Sequence, residues 1–242
     1  MHDLRFRQIH LDFHTSEKIE GVGASFDKEQ WQTTLKRAHV NSITTFATCH
    51  HGWAYYNTEV GSRHPHLDFD LLRAQFDASK EIDVNVPIYL TAGVNNMAAV
   101  AHPEWRQIGP GGNLTGWASS NIQAGFFRTC FNTGYLDFLC DQIEEVVTLY
   151  PNCDGIFLDI ISQPQCVCHS CIATMEANGL DPLDETDRKH HARATLLKYY
   201  KRTTAAAKTS NPDMPIFHNS GHITQGDTEI LEFFSHLELE SL

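Results

Sequence analysis

The stretch YLDFLCDQIEEVVTLYPNCDGIFLDI, from Tyr135 to Ile160, decides the fold class. Leu136, Leu139, Ile143, Val146 and Tyr150 recur at three- and four-residue steps, which is one face of a helix of 3.6 residues per turn. Pro151 and Asn152 stop that helix. Gly155-Ile156-Phe157-Leu158 then forms a short apolar run between turn residues, as a strand buried on both faces requires. Asp159 interrupts the run. An unpaired buried carboxylate is too costly, so Asp159 belongs where the strand emerges. In helix-wrapped parallel sheets, strand-end carboxylates are where chemistry is done. The competing reading is that Asp159 caps the next turn.

Outward from this unit the same alternation repeats. Strands are expected at Gln8–Phe13, Val40–Thr48, Pro87–Gly93, Pro215–Gly221 and His236–Leu242. Helices are expected from Asp27, whose spacing to Gln30 is that of a capping box, over Asp68–Ile82 and over Asp187–Thr209, with a short one at Glu229–Phe234. The glycine-rich segment between Asn95 and Asn132 reads as a long functional loop, and Cys166–Cys171 reads as a loop. Strand–helix alternation implies a parallel sheet with helical crossovers. The fold expected is α/β, a (β/α)8 TIM-type barrel that stops after about six strands. Residues 1–242 would then be the N-terminal part of a single catalytic barrel.

Composition narrows the function. With 41% hydrophobic and 20% charged residues, the chain has the make-up of an ordinary globular protein. Thirty acidic against eighteen basic residues give a net charge of -12 and no basic run, which argues against nucleic acid or an anionic membrane as partner. No apolar stretch reaches membrane-spanning length and no signal-peptide core opens the chain. Seven cysteines, an odd number, fit a reduced cytoplasmic protein better than a disulfide scaffold. Homo-oligomerisation stays open.

The residues gathered at the expected carboxyl ends of strands are His14, His50, His51, Trp53, Asn95, Asp159, His218, Asn219, Glu238 and Glu240. Imidazoles and amides hydrogen-bond hydroxyl groups, aromatic faces pack on the apolar side of a sugar, and two carboxyls suit glycoside hydrolysis. A small carbohydrate is therefore the expected ligand, and no cofactor is expected. In HLELESL, Glu238 and Glu240 share one face, and Glu240 lies nearer the open end.

The block FATCHHGWAYYNT resembles the second-strand histidine motif of α-L-fucosidases, and Tyr135…Gln142-Ile143-Glu144-Glu145…Asp159 resembles the stretch that leads to their nucleophile. Together with LDFHTS, the cysteine-rich loop and LELESL, the pattern is similar to family 29 and 151 fucosidases and the neighbouring hypothetical glycosyl hydrolase group. The resemblance implies a retaining exo-glycosidase with Asp159 as nucleophile and Glu240 as acid/base. His50 or His51 would bind the sugar beside Trp53. The chain departs from the family 29 pattern at Leu158-Asp159-Ile160, where Asp-Gly is usual, and in its cysteine loop. Two other classes stay open: a catalytically inactive carbohydrate-binding barrel and a metal-dependent hydrolase. A structural zinc on Cys166, Cys168, Cys171 and either Cys153 or His169 competes with reduced thiols that merely pack the loop.

Overall fold

Residues 4–219, 223 and 226–238 are described by the structure, a computed structural model. Five strands form one parallel sheet: β1 (Gln8–His10), β2 (Ser42–Phe46), β3 (Ile88–Thr91), β4 (Ile156–Asp159) and β5 (Ile216–Asn219). Their order in the sheet is their order in the sequence, so each crossover steps one strand over in the same direction. The result is a curled half-barrel.

Six helices accompany the sheet: α1 (Lys28–Arg37), α2 (Leu71–Lys80), α3 (Asn96–Ala101), α4 (Tyr135–Leu149), α5 (His169–Ala177) and α6 (Glu185–Ala207). Four begin at a side chain that accepts from the amide three residues on. These are Asp27 with Gln30, Asp70 with Arg73, Asn95 with Ala98 and Asp184 with Asp187. The caps explain two shifted boundaries: α2 starts after Asp70 rather than at Asp68, and α6 starts at Glu185 rather than Asp187.

Strand alternation sorts the side chains into two layers. Ile43, Ile88, Leu90, Ile156, Leu158 and Ile216 face outward into one core with Leu136, Leu139, Ile143, Val146, Tyr199 and Tyr200 of α4 and α6. Phe46, Tyr89, Phe157 and Phe217 face inward as an aromatic layer. Tyr89 stacks on Phe46 with ring centroids 3.7 Å apart, and His10 packs against Phe157 at 4.9 Å.

Three expectations need correction. The Cys166–Cys171 segment is a loop only as far as Cys168; α5 starts at His169 and carries Cys171 in its first turn. The short helix near 230 is a single tight turn, Ile230–Phe233. Among the described residues, no sixth strand joins this parallel sheet: His236, Leu237 and Glu238 are irregular, and residues 239–242, Glu240 among them, lie outside that set.

Candidate active site

Asp159 is the last residue of β4, its side chain is inward-facing, and the residue is 7% exposed. Two donors fix its carboxylate. Tyr89 Oη donates to Oδ2 at 2.6 Å and Asn219 Nδ2 donates to Oδ1 at 2.8 Å. Both follow from register. Asn219 is the β5 partner of Asp159, and Tyr89 lies two residues before Thr91, the β3 partner, on the same inward face. Burial, and then the Asp159 charge beside it, push the Tyr89 phenol well above its ordinary pKa. Tyr89 therefore remains a donor.

His50 stands over this carboxylate. The single hydroxyl proton of Thr91 goes to the Val94 carbonyl (2.7 Å), so Thr91 Oγ1 accepts from His50 Nδ1 at 2.8 Å. Nε2, 3.6 Å from Asp159 Oδ2, is then the unprotonated nitrogen. Burial, reinforced by His14, pushes the imidazole down to about 3. At neutral pH the contact is not an ion pair, and Nε2 offers a lone pair to a hydroxyl donor.

His14 stacks on His50 with centroids 3.9 Å apart. Burial works against its charged form, but the 2.8 Å contact of Nε2 with Asp12 and a contact with Cys49 raise it to about 9. Nδ1 already accepts the His50 amide at 3.1 Å, and a second proton there would break that bond. With its pKa raised, the ring takes up that proton readily below about 9, and Nε2 donates to the Asp12 carboxylate in both forms.

The backbone at the β4 exit is unusual. Ile160 has φ +58°, a left-handed conformation that costs a β-branched residue about 1–3 kcal/mol. Its carbonyl oxygen lies 1.7 Å from where a Cβ on Gly93 would sit, so only glycine fits there. The amides of Ala92 and Gly93 both donate to the Asp159 carbonyl, at 3.0 and 3.1 Å. Such strain persists only where the surrounding structure holds the residue in place.

The structure brings Asp159, His50, His14 and Asn219 together. His51 and Trp53 line a neighbouring cleft with Ser16, Lys18, Asn96 and Met97. Phe126 links the two places, 5.3 Å from the His50 ring and 5.1 Å from that of His51.

Asn95, His218 and Glu238 are placed elsewhere. The Asn95 side chain caps α3. His218 pairs with the outward Leu158, so alternation turns it to the helices; it packs on Tyr200 at 4.8 Å and its Nδ1 lies 3.1 Å from Tyr199 Oη. Burial pushes it down to about 3. Glu238 accepts from Gln8 at 3.2 Å and lines a cavity with Pro87, Gly155 and Pro215, at the amino ends of the strands and opposite Asp159. The sequence reading also missed Tyr89, Thr91 and Phe126. For Tyr89 and Thr91 the signal was present, because they share the inward parity of β3; nothing in the sequence marked Phe126.

The cysteine expectation is corrected in its fourth member. Cys153 sits apart, its Sγ 3.7 Å from Met214 Sδ. Cys130 joins Cys166, Cys168 and Cys171 instead.

The curled parallel half-barrel holds the Asp159 carboxylate at the carboxyl end of a strand, the end at which such α/β sheets carry their active sites. The chain belongs to the family described as hypothetical glycosyl hydrolase 6, whose model matches residues 27–160. It is similar to the α-L-fucosidase isoenzyme 2 from Paenibacillus thiaminolyticus, with 45% identity and a TM-score of 0.93 over 99% of this chain. The chain spans 36% of that protein's length. Two further solved structures share the fold alone. A β-galactosidase from the psychrophilic Marinomonas ef1 has TM-score 0.58 and 10% identity, over 81% of this chain and 35% of its own. A hypothetical protein from Ruminiclostridium thermocellum has TM-score 0.51 and 14% identity, over 83% and 95%. No curated protein matches the sequence. Among the described residues, no helix is long and apolar enough to cross a membrane.

Proposed function

We propose that the protein is a retaining exo-glycosidase of the α-L-fucosidase type, that its five-strand sheet is part of a (β/α)8 barrel, and that Asp159 is the nucleophile. The observation that carries the reading is the Asp159 carboxylate, held by Tyr89 and Asn219 on the inward face at the end of β4. Asp159 attacks the anomeric carbon and forms a glycosyl-enzyme, while an acid protonates the leaving oxygen; water then reverses the step with the same residue as base. His50 accepts a sugar hydroxyl at Nε2, and His14, stacked behind it, keeps that ring in place. His51 and Trp53 contact the substrate from the adjoining cleft. Glu240, outside the described residues, is assigned the acid/base role on the alternation of HLELESL. The 45% identity to an α-L-fucosidase supports the choice of sugar.

The test is the intact protein and its Asp159→Gly variant with a nitrophenyl α-L-fucoside. The variant should lose nearly all turnover, and added azide should restore part of it as a fucosyl azide. Near-normal activity of Asp159→Asn would remove Asp159 from the mechanism. Sugar binding without turnover in the parent would favour a carbohydrate-binding barrel instead.

A further inference from the structure

Cys130, Cys166, Cys168 and Cys171 are all buried, and their four sulfur atoms lie within 4.8 Å of one another. They come from three places: the segment leading into α4, the loop after β4, and the first turn of α5. Cys130 Sγ and Cys171 Sγ are 3.4 Å apart. Four sulfurs bound tetrahedrally at about 2.3 Å from one ion stand about 3.8 Å apart, which this spread brackets. Three N–H groups point at the sulfurs as they would at thiolates. The Asn132 amide donates to Cys130 Sγ at 3.4 Å, Gln163 Nε2 to the same sulfur at 3.5 Å, and the Cys168 amide to Cys166 Sγ at 3.5 Å.

What surrounds the cluster is thin. Met175 is the one other buried apolar residue of this small cluster, with Ile108 and Leu180 partly buried against it. So little apolar surface holds a long loop weakly, yet three segments converge here. Val167 donates its amide to Ile108 (2.8 Å), the Phe131 amide donates to Gln163 Oε1 (3.0 Å), and Asn132 Nδ2 donates to the Ser170 carbonyl (3.1 Å).

We propose that Cys130, Cys166, Cys168 and Cys171 hold one structural zinc ion that clamps the loop after β4 to the head of α4. Four S–H bonds release their protons to solvent as four Zn–S bonds form, with no change of oxidation state. All four positions are filled by sulfur, so the ion has no open site for substrate and its role is to hold the fold. The clamp fixes residues 160–168, the segment that leaves Asp159. It does not depend on the glycosidase reading, because its test reads metal rather than turnover.

The test uses the intact protein, expressed without a metal-affinity tag and kept reduced, with metal measured by plasma mass spectrometry. About one zinc per chain is expected, and Cys153→Ser and Cys140→Ser should keep it. Cys130→Ser and Cys166→Ser should lose it. If those two variants fail to fold, the parent still decides the matter. Blocking its thiols in denaturant should release one equivalent of zinc to a chromophoric chelator. Cobalt-grown protein should show the sulfur-to-metal charge-transfer and tetrahedral ligand-field bands of a four-thiolate site. Parent protein with less than about a tenth of an equivalent of zinc after growth in zinc-supplemented medium would overturn the proposal. So would a mass 2 Da low from a Cys130–Cys171 disulfide, a different metal on the same thiols, or full zinc retention in a folded Cys130→Ser variant.

Discussion

Lowering the pH should destabilise this fold through His218, and the amount can be worked out. His218 is 1% exposed, packed among Tyr199, Tyr200 and Phe234, and burial pushes its pKa from 6.5 to about 3. The folded state therefore disfavours the proton that the unfolded chain accepts. The associated stability is present above the unfolded value of 6.5 and is lost as pH falls toward 3. Between pH 8 and pH 5 the linkage relation gives a loss of about 2 kcal/mol from this one ring. His50, also pushed down to about 3, titrates in the same window and adds to the drop in the parent. The assay is urea unfolding of the parent and His218→Phe at the two pH values. The variant starts lower at pH 8, because the Tyr199 hydroxyl loses its 3.1 Å partner, at a cost of about 1–3 kcal/mol. Its further loss on going to pH 5 should be smaller than the parent's by about 2 kcal/mol. Equal losses in both proteins would show that His218 is not buried as a neutral ring.

Two predictions bear on the Asp159 group. Tyr89→Phe removes the 2.6 Å donor to a carboxylate that is almost sealed from water; at about 1.5–3 kcal/mol for such a bond, turnover should fall by about tenfold or more while the far-ultraviolet spectrum is unchanged. Parent-like kinetics would take Tyr89 out of the site. Gly93→Ala places a methyl group 1.7 Å from the Ile160 carbonyl oxygen, a backbone atom that cannot swing aside. A stability loss of about 3 kcal/mol or more is expected, read by thermal melting. A melting temperature within a few degrees of the parent would mean the β4 exit is not packed as described.

What was legible in the sequence was local. The period of Leu136, Leu139, Ile143 and Val146 set α4, the apolar run before Asp159 set β4, and Asp27 and Gln30 marked the start of α1. Each of these depends on neighbours within a few residues. The parity of a strand is also local, and applying it separates Asn219, inward with Asp159, from His218, outward with Leu158. Tertiary structure decided what depends on distant partners. It sent Glu238 to the amino ends of the strands beside Gln8 and aimed Tyr89 at Asp159, seventy residues away. It also replaced Cys153, near in sequence, with Cys130, near in space. A side chain's chemistry belongs to the sequence, but its neighbours depend on strand register and helix packing, which no short window of residues contains.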